Sequence, residues 1–158
     1  MDNITSTGTQ KIAPYLWFNG NLQEAVEFYT STFKNSRIIS MNIFPEKFSM
    51  AVFELEGLQF MALDGGPHYE FSPAVSFYVP CDTQDEIDQL WDAFIQGGGS
   101  ELQCGWLTDK FGVTWQIIPS ILSTLMTDPN PAKSAPVVQA MLKMKKMIID
   151  DLLQAYNQ

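Results

Sequence analysis

The sequence predicts an α+β fold in which strand, helix and strands occur twice at constant spacing, followed by a helical C-terminal region. Three observations carry this. Two amphipathic stretches with helix-start signals lie in register: Glu24, Ala25 and Tyr29 recur as Glu86, Ile87 and Trp91, each 62 positions later, and Tyr15 stands in the same relation to Phe77. Short β-rich runs bounded by Asn-Gly, Glu-Gly and Gly-Gly-Pro turns flank the helices. The stretch from Cys104 to Pro119 reads as strand, turn, strand, and the rest of the chain is organised around it.

Taken in order, Met1 to Gln10 is a polar, Ser/Thr-rich stretch expected to form a loose tail. Lys11 to Phe18 is a strand with Ala13, Tyr15 and Trp17 on one face and Ile12, Leu16 and Phe18 on the other. Asn21 opens a helix as its cap, with Glu24 reaching back as in a capping box. Leu22, Ala25, Val26, Tyr29 and Phe33 form the apolar face of that helix, and Lys34-Asn35-Ser36 ends it. Strands follow at Arg37 to Phe44, Met50 to Leu55 and Leu58 to Leu63, the last two joined by a tight Glu56-Gly57 hairpin. The second half starts with a strand from Ala74 to Val79. A helix follows from Asp82-Thr83, with Ile87, Leu90, Trp91, Phe94 and Ile95 on its apolar face, and Gly97-Gly98-Gly99 stops it.

In the last strand pair Trp106-Leu107 enters, Thr108 to Gly112 reverses the chain, and Val113 to Ile118 leaves. Asp109 bonds its own backbone two residues on, and Gly112 supplies a left-handed residue. Alternation puts Val113, Trp115 and Ile117 on one face and Thr114, Gln116 and Ile118 on the other. A polar Gln116 at the centre of an apolar strand needs a partner: a backbone group, a ligand or a metal. Beyond Pro119, Ser120 to Met126 reads as a short helix, Asp128-Pro129-Asn130-Pro131 as a breaker, and about Ala135 to Tyr156 as one last helix. Val138, Met141, Leu142, Ile148, Ile149, Leu152 and Leu153 stripe it, and Lys146 and Asp150 pair one turn apart. Packing on its own domain is the first reading of this helix. A dimer contact is the second, given the methionines between Met126 and Met147.

The composition bounds the function. Eighteen acidic against nine basic residues give a net charge of −9, which repels nucleic acid and anionic membrane surfaces and leaves neutral or cationic small molecules as ligands. Cys81 and Cys104, in a chain without a leader or long apolar run, read as free thiols of a reduced, cytoplasmic protein. No phosphate-cradling glycine fingerprint opens a helix.

Several segments together resemble the PhnB-like proteins of the vicinal-oxygen-chelate (glyoxalase/bleomycin-resistance/dioxygenase) superfamily, often labelled 3-demethylubiquinone-9 3-methyltransferase-like. They are Trp17-Phe-Asn-Gly-Asn21 leading to Ala25-Val-Glu-Phe-Tyr29, then Ala62-Leu-Asp-Gly-Gly-Pro67, and Phe77 through Asp88-Gln-Leu-Trp91. Gln103 to Pro119 and Ala140-Met141 complete the set, so that the resemblance spans about 12 to 155. It implies paired βαβββ modules, each a curved sheet around a cavity, within a single domain over 1–158: module one at about 11–67, module two at about 73–119, and a helical extension at about 120–158. It also implies a homodimer. Metal-bearing relatives place ligands on the first and last strands of each module. Here those positions hold Ala13 or Pro14, Ala62, Val75 or Ser76, and Gln116, where such relatives have Glu. One amide oxygen and one hydroxyl do not replace imidazoles and carboxylates, so no metal and no cofactor is expected.

The remaining candidates follow. His68, the single histidine, is the first base to consider. Asp64 closes a strand ahead of Gly65-Gly66, where turn formation is the plain role; its face parity with Phe60 and Ala62 otherwise aims it at the cavity mouth, with Phe60 as a lining residue. Tyr15, Trp17, Tyr78 and Trp106 are candidate aromatic walls. Gln116 is expected to point into the second module's cavity beside Ser76 or Tyr78, holding a ligand oxygen or a water. Cys104 reads as a small packed hydrophobe. The first functional reading is a small-molecule-binding protein without a catalytic metal. The alternative is a metal-independent lyase, isomerase or 3-demethylubiquinone methyltransferase-like enzyme acting on a small aromatic or apolar substrate through His68, Asp64 and Gln116. Methyl transfer ranks lower, since no glycine-rich strand–helix turn of the doubly wound kind is present.

Overall fold

The computed structural model describes residues 10–46 and 48–158; the expected tail from Met1 to Thr9 lies outside them. The chain divides into two compact units, one ending at Glu70 and the other beginning at Phe71. Each is a four-stranded mixed sheet with one long helix packed on it, and the second carries three further helices.

The first unit runs β1 (Tyr15–Phe18), α1 (Leu22–Thr32), β2 (Ser36–Ile43), β3 (Ser49–Leu55) and β4 (Leu58–Asp64), in sheet order β1-β4-β3-β2 with β1 parallel to β4. Alternation sends Leu16, Phe18, Phe53, Phe60 and Ala62 toward α1, where they meet Leu22, Ala25, Val26 and Tyr29 in the core. Glu56 (φ 48°) and Gly57 (φ 85°) form the expected tight hairpin. Two local expectations change. Asn21 precedes α1, but its side chain makes no capping hydrogen bond. Gln10, expected in the loose tail, is tied to β4: its amide donates to Gln59 O (2.9 Å) and accepts from Gln59 N (3.0 Å).

The second unit runs β5 (Ser76–Cys81), α2 (Gln84–Gln96), β6 (Ser100–Glu101), β7 (Trp106–Thr108) and β8 (Thr114–Pro119), in sheet order β5-β8-β7-β6. The capping signal here is real: Thr83 Oγ1 accepts from Glu86 N (3.2 Å) and Glu86 Oε2 accepts from Asp82 N (2.9 Å). Trp115 packs against Phe94 of α2 and Phe77 of β5, so Val113, Trp115 and Ile117 face the helix as expected. The repeat is therefore out of step by one residue between its parts. Tyr15 is on the face away from α1 and 46% exposed, whereas Phe77 packs under α2, so the first strands correspond through Leu16 and Phe77.

The C-terminal region forms α3 (Leu122–Met126), α4 (Pro131–Leu142) and α5 (Ile149–Tyr156). The single helix expected over 135–156 is thus two. The expected breaker starts the first of them: Asn130 caps Ala132 N (3.0 Å) and Pro131 takes the first turn, where its missing N–H costs nothing. Between α4 and α5 the backbone of 143–148 is claimed by tertiary bonds. Met144 O and Lys145 O accept from Cys104 N and Gly105 N, and Met147 O accepts from Gln84 Nε2 (3.0 Å). Met147 enters the core with Ile118, Leu122, Leu125, Val137 and Leu152, with Met126, Met141 and Met144 packed against it. These helices therefore pack on their own unit. Val137 is the buried valine, not Val138, and Lys146 bridges to Asp88 (3.2 Å) and Asp92 (3.1 Å) of α2, not to Asp150.

No helix among the described residues is long and apolar enough to cross a membrane.

Candidate functional site

The turn after β7 organises the second sheet. Asp109, 5% exposed, accepts from Phe111 N (2.8 Å) and Val113 N (2.9 Å) with Oδ1, and from Trp115 Nε1 (2.9 Å) with Oδ2. It therefore sets the turn and pins the indole under α2 with one carboxylate. With Trp115 held on the helix side, the pleat must present Thr114, Gln116 and Ile118 on the other face of β8.

Register then builds the site. Gln116 pairs with Tyr78 of β5 on one side and Trp106 of β7 on the other. The three side chains form a row across the sheet, aromatic, amide, aromatic. Gln116 Nε2 donates to Ser76 Oγ (2.8 Å), so the amide is already oriented. One row along, Thr114 pairs with Ser76 and Thr108. Its hydroxyl is buried and has no hydrogen-bond partner among the described residues. Gln116 and Trp106 are half-buried and Tyr78 is 55% exposed, so the row is reachable. Every side chain that β5, β7 and β8 put on this face is uncharged: Ser76, Tyr78, Pro80, Trp106, Thr108, Thr114, Gln116 and Ile118. Such a surface can stack a flat ring and exchange neutral hydrogen bonds with it.

Four sequence-predicted residues, Ser76, Tyr78, Trp106 and Gln116, are thus brought together. The others lie in the first unit. Tyr15 and Trp17 share the face away from α1, but the indole of Trp17 is committed to the loop after β4: it donates to Gly66 O (2.9 Å), packs edge-on against Tyr69 and covers Gly65. Phe60 is not a lining residue; it is 3% exposed and stacked on Phe53, because its parity takes it to the helix side. Asp64 accepts from Gly20 N (2.7 Å) and Ser49 Oγ (3.2 Å), the turn-holding role, and borders an open groove of about 610 Å³ beside Glu24 and Glu27. His68 is exposed in the turn that follows β4. Sequence reasoning overlooked Thr114 and Thr108: the parity of Thr114 with Gln116 was readable, but its pairing with Thr108 needs the register. Of the two thiols, Cys81 is fully buried and its pKa is pushed up to about 12 by burial, then by the nearby Glu86 and Asp82 carboxylates, which leaves it unreactive.

The sequence model of the 3-demethylubiquinone-9 3-methyltransferase family matches residues 10–118. Among solved structures, the PhnB protein of Bacillus cereus is 36% identical over 70% of this chain and 99% of its own, with a TM-score of 0.65. A protein of Pseudomonas aeruginosa is 25% identical over 70% and 98%, with a TM-score of 0.60. A fosfomycin resistance protein of Listeria monocytogenes, complexed with Mn(II) and a dihydroxypropylphosphonic acid, covers 75% and 97% with a TM-score of 0.58; at 14% identity it shows a shared fold. No curated protein matches the chain. A manganese site of that fold does not fit the residues present here. Ala62 is buried on the helix side, Val75 is 69% exposed, and the neighbours of Gln116 are hydroxyls and aromatic rings. Among the described residues no group of three His, Cys, Asp or Glu side chains is placed to hold a metal ion. The match ends at Ile118, so α3 to α5, with the resembling pair Ala140-Met141, lie beyond it. With the family model spanning more than two-thirds of the chain, this protein belongs to the 3-demethylubiquinone-9 3-methyltransferase family of PhnB-like proteins.

Proposed function

We propose that the protein binds a small, neutral, oxygen-bearing aromatic molecule on the second sheet, without a catalytic metal. The row Tyr78–Gln116–Trp106 carries this reading: two rings flank an amide that Ser76 already orients. Gln116, half-buried at the centre of the row, exchanges a hydrogen bond with the ligand oxygen. The net charge of −9 disfavours anionic ligands at the same surface. Methyl transfer, the activity in the family's description, is the other reading. It rests on that description, and His68 and Asp64 bring it no support: one is exposed in a turn and the other is tied to Gly20 and Ser49.

Calorimetric titration with 4-methylphenol tests the proposal. Replacing Gln116 by Leu removes donor and acceptor at nearly constant volume. Affinity should fall by about 1–3 kcal/mol while folding stability changes by less than about 1 kcal/mol. Equal affinities, or a loss of stability without a loss of binding, would count against a ligand role for Gln116.

We also propose a cytoplasmic homodimer. The edge strand β2 and the loop after it expose Ile38, Ile39, Ile43, Phe44 and Phe48, a run of apolar surface and unpaired edge that a second copy can cover. Light scattering at micromolar concentration should give twice the chain mass of 17.8 kDa; a monomer mass defeats this assignment.

A further inference from the structure

The same face of β8 that carries Gln116 ends, one row on, against the helices beyond the family match. Ile118 is two residues from Gln116, about 7 Å along the strand, and shares its face. It is 5% exposed because Leu122, Leu125, Val137, Met147 and Leu152 close over it. The contact is tight. At Gly105, the residue before Trp106, an added Cβ would lie 2.7 Å from Ile118 Cδ1 and 2.8 Å from Met147 Cγ.

The connection between α4 and α5 also grips the approach to Trp106. Cys104 (φ 59°) and Gly105 (φ 79°) are consecutive left-handed residues, a conformation costly for cysteine. It is held by Cys104 N donating to Met144 O and Gly105 N donating to Lys145 O, each at 2.8 Å. The connection is itself anchored to α2. Gln84 bonds both Met147 O (3.0 Å) and Ile149 N (2.8 Å), and Lys146 bridges Asp88 and Asp92.

We propose that residues 143–148, with Ile118, form the end wall of the ligand site: they limit how far an apolar substituent can extend past Gln116, and they position Trp106 through Cys104 and Gly105. This rests on the ligand reading above. It adds a specificity determinant from a part of the chain that the family match does not include. The class of ligand admitted is a phenol-like ring whose oxygen meets Gln116 and whose apolar tail is short. A tail reaching the wall meets Ile118, which the buried Met147 backs; a longer one has no room.

The experiment titrates a series from 4-methylphenol to 4-hexylphenol into wild type, Gln116→Leu, Met147→Ala and Ile118→Val, each checked for folding by circular dichroism. In wild type, affinity should rise by about fourfold per buried methylene and then fall at a cut-off length. Met147→Ala should move that cut-off to longer tails, raising the affinity ratio of 4-hexylphenol to 4-methylphenol by about tenfold. Ile118→Val trims the wall itself, should move the ratio in the same direction by a smaller factor, and carries the test if Met147→Ala does not fold. Should Gln116→Leu weaken every phenol while the wall variants leave the length profile unmoved, the wall is overturned and the ligand site stands. If wild type binds none of the series, or Gln116→Leu leaves all of it unchanged, both fall.

Discussion

Replacing Asp109 by Ala should lower stability by about 3–5 kcal/mol, read as a shift in the urea midpoint of tryptophan fluorescence. Three donors lose their acceptor at once: Phe111 N, Val113 N and Trp115 Nε1. The bonds to Val113 and Trp115 are buried, and each buried donor left unpaired costs about 1–3 kcal/mol. Trp115 is 2% exposed and packs on Phe77 and Phe94, so a displaced indole disturbs the contact between sheet and α2. Asp109→Asn should fall between wild type and Ala. Its amide oxygen can serve the two backbone donors, but its amino group meets the Trp115 N–H donor to donor. A loss below about 1 kcal/mol for Asp109→Ala would show that the turn forms without the carboxylate.

Gly105→Ala should cost about 2–5 kcal/mol and should also weaken 4-methylphenol binding. At φ 79° a Cβ adds a left-handed penalty of about 1–2 kcal/mol. The same Cβ would sit 2.8 Å from Ile117 O, a backbone atom within a paired strand, and 2.7 Å from Ile118 Cδ1. Relieving that overlap requires β8 or the 143–148 connection to move, at a further cost of about 1–3 kcal/mol. Gly57→Ala is the control: it has φ 85° and nothing within 4 Å of the added Cβ, so it should show the left-handed penalty alone. Equal losses at the two positions, measured by the same denaturation, would show that the packing at Gly105 is soft.

Much of this architecture was readable because its signals are local and periodic. The spacing of Ala25, Val26 and Tyr29, and of Ile87, Leu90, Trp91 and Phe94, marks helix faces that are buried as expected. The capping pair Thr83 and Glu86, the Glu56-Gly57 hairpin and the Asp109 turn depend on neighbours a few residues apart. Where reading failed, a distant partner decided. One helix over 135–156 was the natural expectation from an apolar stripe, but the carbonyls of Met144 and Lys145 bond the N–H groups of Cys104 and Gly105, some forty positions away in sequence. The same holds for Lys146, drawn to Asp88 and Asp92 in preference to its helical neighbour. Alternation puts Phe60 on the face of Asp64, but α1 decides which face that is, and it buries Phe60 against Phe53, away from any ligand.

By itself, then, the sequence determined the α+β plan, the twofold repetition, the two sheet-covering helices and the alternation that separates Trp115 from Gln116. These depend on residue type and on periods of two and 3.6, which any stretch of chain carries within itself. Beyond the expected nearness of Gln116 to Ser76 or Tyr78, which came with the family resemblance, the tertiary structure decided that Tyr78 and Trp106 flank it on both sides while Ser76 orients it. It also decided that the final helices close over Ile118. Neighbour choice between strands joins residues up to 46 positions apart, as Tyr15 and Met61 are, and it is set by the burial of whole faces, which no local window of sequence contains.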